Sequence, residues 1–218
     1  WTVVDEEQYA SITIWIPLVD TDRANGALRV LPGSHRVFSA PRGPSLPVTY
    51  AGQYEQLWEA MELLPLPAGH AFVFSQALLH ASHANETSAD RVAVTYGLIP
   101  AAAQLRFYHY SDDRQLEHYA VTPRFFQEYL NIGERPETSV GALIDRKPFT
   151  FRPLTAETVA AMIAASRDVT AGKPVSTDFA LSEKTPIPPP DAGRPRPFWQ
   201  VYTPANVLRE IRYRFTGK

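Results

Sequence analysis

His80, Ser82 and Arg91 are the residues whose types and spacing most suggest chemistry in this sequence. They lie within LLHASHANETSADRVAVTYGL, residues 78–98. His80 interrupts an apolar run, where a polar ring is costly unless it is bonded. Ser82 follows two residues later, so both side chains share one face of a strand. Arg91 opens the returning strand of what reads as a hairpin, 78–82 with 92–98, joined by the polar stretch 83–90. From there a guanidinium can reach across the pair and take a carboxylate bidentately, with Ser82 adding a hydroxyl. A metal ligand beside a carboxylate clamp suits a chelating keto acid. A plainer reading stays open: a buried, satisfied histidine and a surface arginine paired with Asp90 or Glu86.

The elements that must hold these residues read as short strands. Ile12, Ile14, Ile16 and Leu18 alternate with Ser11, Thr13, Trp15 and Pro17, the period of a strand with unlike faces. Asp20 to Gly26 is turn chemistry, with Asn25-Gly26 suited to positive φ. Ala27 to Leu31 is a second strand, stopped by Pro32-Gly33-Ser34-His35. A helical turn is expected over 54–62, and further strands over 71–74 and 105–110. His109 and His118 flank Ser111 to Arg114, which reads as a solvated hairpin tip. Thr122-Pro123 and Thr155 each start a helix, with threonine as the N-cap. Closely spaced strands with turn signals predict a mainly β fold, a sandwich or jelly-roll barrel with flanking helices.

The wording of two segments adds to this. Trp15-x-Pro17-Leu18, Asn25-Gly26-Ala27-Leu28 and Pro32-Gly33-Ser34-His35, followed by His80-x-Ser82-x-x-Asn85 and Arg91, resemble the phytanoyl-CoA dioxygenase family over roughly residues 1–133. The resemblance implies a double-stranded β-helix and an Fe(II)- and 2-oxoglutarate-dependent oxygenase that hydroxylates a C–H bond of a small molecule. It implies His80 as the distal iron ligand, Arg91 and Ser82 as the grip on the 2-oxoglutarate tail, and Trp15 as an aromatic neighbour of that co-substrate. No residue of the chain is assigned as a catalytic acid or base. The Asn25-Gly26 turn and the Pro32–His35 stretch read as structural, and His35 as a loop residue.

The family's other two iron ligands, a His-x-Asp pair, have no counterpart here, because no histidine precedes His35. Asp5 and Glu7 have the i, i+2 spacing but are both carboxylates. The expected place for the pair is immediately upstream of Trp1, and the chain, which starts with Trp and not Met, reads as a window from a longer polypeptide or as a processed one. His83 is an odd number of residues from His80, so on a regular strand it points to the opposite face. A rival reading is a non-catalytic jelly-roll binding module derived from such a barrel.

Composition narrows the field further. The chain has 218 residues, a net charge of -2 and no cysteine. Disulfides, thiolate metal sites and cysteine nucleophiles are therefore excluded. No basic footprint suggests a nucleic-acid partner, and no apolar run is long enough for a membrane span. The absence of cysteine and of a leader pattern points to a cytoplasmic setting. The organisation expected is a core over 1–150, a helical extension over 151–181, a proline-rich linker over 182–202 and a C-terminal helix over 203–218. That last helix carries Arg209, Arg212 and Arg214 and suits docking to a neighbouring domain.

Overall fold

A computed structural model of the chain describes residues 1–38, 40–128 and 133–172. The linker and last helix expected beyond residue 181 lie outside the described residues. The elements run β1 (Ile12–Pro17), β2 (Leu28–Val30), α1 (Tyr54–Ala60), β3 (Glu62–Leu64), β4 (Phe72–Ser75), β5 (His80–Ser82), β6 (Ala93–Leu98), β7 (Arg106–Tyr110), β8 (Gln115–Val121), α2 (Pro123–Glu128), β9 (Gly141–Pro148) and α3 (Ala156–Thr170). Three antiparallel sheets result, ordered β4-β1-β6, β3-β2-β5 and β7-β8-β9. The fold is mainly β, as expected, and among the described residues its sheets are open, none closing on itself.

The first two sheets meet through a shared core. Trp15 and Phe74 from the first pack with Leu28 and Val30 from the second and with Leu78, which precedes β5. Each such side chain contributes roughly 1.5–3 kcal/mol by leaving water. The register puts Trp15 opposite Phe72 and Thr95, which fixes the inward face of β1. Its isoleucine face therefore turns outward, together with Val73 and Tyr96, the partners of Ile14. On that face Ile12, Leu18, Val73 and Tyr96 are all exposed, Val73 by 56%. The alternation in the sequence is real, but the bulkier indole takes the core side.

The supposed hairpin of 78–82 with 92–98 does not form. β5 pairs with β2 in one sheet, and β6 pairs with β1 in the other. Residues 83–90 thus cross between sheets. Neighbours in sequence here are partners across the core and not within a ladder.

A second core lies behind β5. Leu31, Val37, Phe38, Leu57, Met61 and Leu79 pack against Val159, Met162 and Ile163 of α3. Thr155 caps α3, its hydroxyl accepting the Thr158 N–H at 3.2 Å. The helix comes so close to the Pro32–His35 turn that a Cβ on Gly33 would lie 2.1 Å from the Ser166 carbonyl oxygen. Gly33 also has φ of 78°, which favours glycine.

The third sheet contains the expected hairpin tip: residues 111–114 join β7 to β8, with Asp112, Asp113 and Arg114 exposed. His109 and His118 flank it as strand residues, 8% and 3% exposed. Phe107, Tyr119 and Phe125 form a buried core with Val121 and Val140, so most of the aromatics of this region serve packing. Strands β3, β8 and β9 carry no clear signal in the sequence.

Candidate functional site

β5 is held from both sides before it reaches His80. Ser34, fully buried, accepts the Leu79 N–H at 2.9 Å, and the Leu79 carbonyl accepts the Leu31 N–H at 2.9 Å. His80 then stands opposite Val30 and Ser82 opposite Leu28. Directly paired residues share a face, so both project on the side of Leu28 and Val30, toward the first sheet. Both are exposed, at the rim of the aromatic core and not inside it. The His80 ring meets Phe74 edge to face, with centroids 5.1 Å apart.

The His80 ring has one committed nitrogen. Nδ1 lies 2.8 Å from the Leu78 carbonyl oxygen. A carbonyl only accepts, so Nδ1 carries the proton and Nε2 of the neutral ring keeps its lone pair. An imidazole oriented by a backbone carbonyl in this way is the usual arrangement of a metal-ligating histidine.

Arg91 comes from the facing sheet, two residues before β6. Its guanidinium lies over the buried Trp15 indole, 5.8 Å from the ring centroid. Neither Asp90 nor Glu86 pairs with it, and it has no ion-pair partner among the described residues. The Asn25-Gly26 turn brings it to the end of β5. A Cβ on Gly26 would stand 3.5 Å from Arg91 Nε and 2.8 Å from the His83 carbonyl oxygen. His80, against Phe74, and Arg91, over Trp15, therefore border the same core between the two sheets, and Ser82 shares the His80 face of β5.

The other candidates are placed elsewhere. His83 packs edge to face on Trp58, centroids 4.7 Å apart, with Nε2 3.4 Å from Arg29 Nη1. Arg29 itself stacks over Trp58 and donates to the Met61 carbonyl at 2.6 Å. Asp5 accepts from Arg106 at 3.1 Å and from Gln8 at 3.0 Å, so it is tied into its own turn. Glu7 projects no further ligand beside it, and no group of three histidine or acidic side chains able to hold a metal exists among the described residues. His35 and His70 are exposed. Asp113 bonds Ser111 and Arg146, a charged turn and not a cation site. A largely apolar cavity of about 140 Å³, lined by Phe38, Leu46, Tyr50, Leu79 and Met162, lies on the opposite face of β5 from His80.

Burial sets the electrostatics of the third sheet. Desolvation lowers the pKa of His118 to about 4, with Arg106 adding to the effect. Its ring stacks on Tyr108, centroids 4.8 Å apart, and neither ring nitrogen has a hydrogen-bond partner. Glu117, held below the usual carboxylate range by Arg135, accepts from that guanidinium at 2.7 and 3.0 Å and from the Tyr119 hydroxyl at 2.8 Å.

Two contributors carry no chemical signature of their own in the sequence. Ser34 reads as turn chemistry, yet it fixes the residue beside His80. Gly26 reads as a hairpin turn, yet it carries Arg91.

Comparison with known proteins bears on this cluster. The model of the family Phytanoyl-CoA dioxygenase (PhyH) matches residues 2–93. That stretch includes Trp15, His80, Ser82 and Arg91. No curated protein matches the sequence. Among solved structures, similarity is found to the epimerase SnoN in complex with Fe3+, alpha ketoglutarate and nogalamycin RO, at 24% identity and a TM-score of 0.37. That match covers 44% of this chain and 38% of the SnoN chain. A second is the non-heme alpha ketoglutarate dependent carbocyclase SnoK from nogalamycin biosynthesis, at 20% identity and a TM-score of 0.36, covering 62% and 50%. The chain spans half or less of the length of these structures.

Proposed function

Residues 2–93 being PhyH-like in sequence, we propose that this chain forms the co-substrate-binding part of a non-haem iron, 2-oxoglutarate-dependent oxygenase built on a double-stranded β-helix. One observation carries the reading. The His80 imidazole, with a free Nε2, lies against Phe74, and the Arg91 guanidinium, without an ion-pair partner among the described residues, lies over Trp15, so both groups border the one core that Phe74 and Trp15 share.

Each residue present fits its part. His80 Nε2 is the iron ligand, and the Leu78 carbonyl fixes the tautomer that exposes it. Arg91 takes the far carboxylate of 2-oxoglutarate with two parallel hydrogen bonds, and the Ser82 hydroxyl adds a third. Trp15 lies under the guanidinium and keeps water from that side of it. Bound iron and 2-oxoglutarate supply oxygen-dependent oxidation of a C–H bond, and hydroxylation of a small molecule is the outcome we propose. The remaining two ligands are a His-x-Asp pair preceding Trp1 in the polypeptide. A cytoplasmic location is part of the same proposal.

The lack of a three-ligand group among the described residues favours a second reading, a non-catalytic binding module. Anaerobic titration separates the two. The protein, expressed with the residues encoded before Trp1, is titrated with Fe(II) and 2-oxoglutarate, then exposed to oxygen and assayed for succinate. The oxygenase reading expects metal-dependent 2-oxoglutarate binding, which His80→Ala abolishes. Arg91→Ala should weaken it by roughly 10- to 100-fold, the value of charge-assisted hydrogen bonds. Binding of 2-oxoglutarate that ignores both substitutions sinks the assignment.

A further inference from the structure

The Asn25-Gly26 turn is built more firmly than a connection between strands requires. Asp22 Oδ1 accepts the N–H groups of Ala24 and Asn25 at 2.8 and 3.0 Å. Asn25 Oδ1 accepts the Asp22 N–H at 2.9 Å, and its amide donates to the Asp20 carbonyl at 2.7 Å. The crossing loop then docks on this turn, with Glu86 N–H donating to the Ala24 carbonyl at 2.9 Å. Asn85 organises the loop from within, accepting from Thr87 N–H at 3.0 Å and donating to the Ala89 carbonyl at 2.7 Å. Arg91 is the second residue after Ala89.

Gly26 is the point of closest approach. Its φ is 90°, a conformation in which a side chain is strained. A Cβ there would meet two groups of the crossing segment, the His83 carbonyl at 2.8 Å and Asn85 N at 3.7 Å, and Arg91 Nε just beyond it at 3.5 Å. The first distance forces movement of backbone, since a carbonyl oxygen cannot swing aside like the end of a flexible side chain. The last brings Arg91 Nε within van der Waals reach of any side chain placed at residue 26, and the same guanidinium lies over the Trp15 ring.

We propose that Gly26 is a positioning residue for Arg91: the bare backbone of the 20–27 turn and the Trp15 indole are two walls of a slot that fixes the guanidinium. This rests on the reading of Arg91 as the 2-oxoglutarate clamp. The slot explains how a long, rotamer-rich side chain is pre-ordered without a carboxylate to hold it. Ordering it beforehand removes an entropic cost from ligand binding.

Gly69 provides the control. It has φ of 77°, so alanine there incurs the same backbone strain, but nothing lies within 4 Å of its Cβ position. In the full-length protein, Gly26→Ala and Gly69→Ala are compared by thermal melting, by the 15N–1H resonance of the Arg91 Nε–H and by anaerobic 2-oxoglutarate affinity with Fe(II). The resonance is assigned from its loss in Arg91→Lys. Both variants should lose stability, but only Gly26→Ala should move the Arg91 resonance and weaken 2-oxoglutarate binding, by about tenfold. A Gly26→Ala protein that matches Gly69→Ala in resonance and affinity overturns the proposal. Wild-type protein that binds no 2-oxoglutarate overturns the co-substrate reading instead, and the resonance still decides whether the turn positions Arg91. Should Gly26→Ala fail to fold, Gly26→Asn tolerates the left-handed backbone and keeps the collision. Trp15→Phe tests the opposite wall by the same resonance, and an unmoved Arg91 signal there also counts against the slot.

Discussion

Ser34→Ala isolates what supports the strand bearing His80. The Ser34 side chain is fully buried and its Oγ accepts the Leu79 N–H at 2.9 Å. Leu79 is itself 7% exposed, so water does not replace the lost acceptor. The substitution removes one oxygen and leaves a backbone N–H buried without a partner. That omission costs about 1–3 kcal/mol, more than the roughly 1 kcal/mol of an exchangeable hydrogen bond. For a chain of this size each kcal/mol lowers the midpoint by about 2–4 °C, giving a shift of roughly 2–12 °C. Urea unfolding of wild type and Ser34→Ala, with thermal melting as a second probe, measures it. The metal affinity of the full-length protein should fall as well, because the loosened residue adjoins His80. A stability loss below about 0.5 kcal/mol, the range of an unremarkable surface substitution, would refute the reasoning, since it would mean that Leu79 N–H finds another acceptor.

Acid should weaken the fold through His118. Its folded-state pKa is depressed from 6.5 to about 4. Above pH 6.5 the ring is neutral in both states and costs nothing. As pH falls from 6.5 toward 4 the unfolded chain takes up the proton first, and stability drops by an amount on the order of 3 kcal/mol. His118→Phe should flatten that limb, and an unchanged acid profile in this variant would assign the titration to another group. The outward face of the first sheet should bind a hydrophobic dye such as ANS, because Ile12, Leu18, Val73 and Tyr96 are exposed together. Val73→Lys and Leu18→Lys should reduce the dye signal at a cost near 0.5 kcal/mol or less. Dye binding that survives both substitutions places the apolar surface elsewhere.

The local alphabet of this fold is legible in the sequence, and its pairing is not. β1, β2, β4 and β7 carry period-two or aromatic signals, and the threonine cap announces α3. Strand partners leave no such trace. β5 and β6 are consecutive and separated by a polar loop, which is what a hairpin looks like; the register to β2 and β1 emerges only when the core is assembled. β8 hides its strand character because Glu117 and His118 stand where apolar residues are expected, and β9 is exposed along nearly its whole length. The odd spacing of His83 from His80 separates them correctly on geometry alone, and the Trp58–Arg29 stack gives His83 its place. Gly26 and Ser34 escape notice because their roles are defined by what lies against them, 45 or more residues away in Ser34's case.

The crossing of residues 83–90 from one sheet to the other has a mechanical consequence. His80 and Ser82 are laddered to β2, whereas Arg91 leads into β6, which is laddered to β1, and approaches the β2 side only at the Gly26 turn. The spacing of the two sheets, about 10 Å where sheets pack face to face, therefore bears on the span between imidazole and guanidinium. Leu28, Val30, Phe74 and Trp15 are the spacers that maintain it. A core substitution that swells or thins this layer changes a gauge, and a chain of fixed carbon number either bridges the two jaws or falls short.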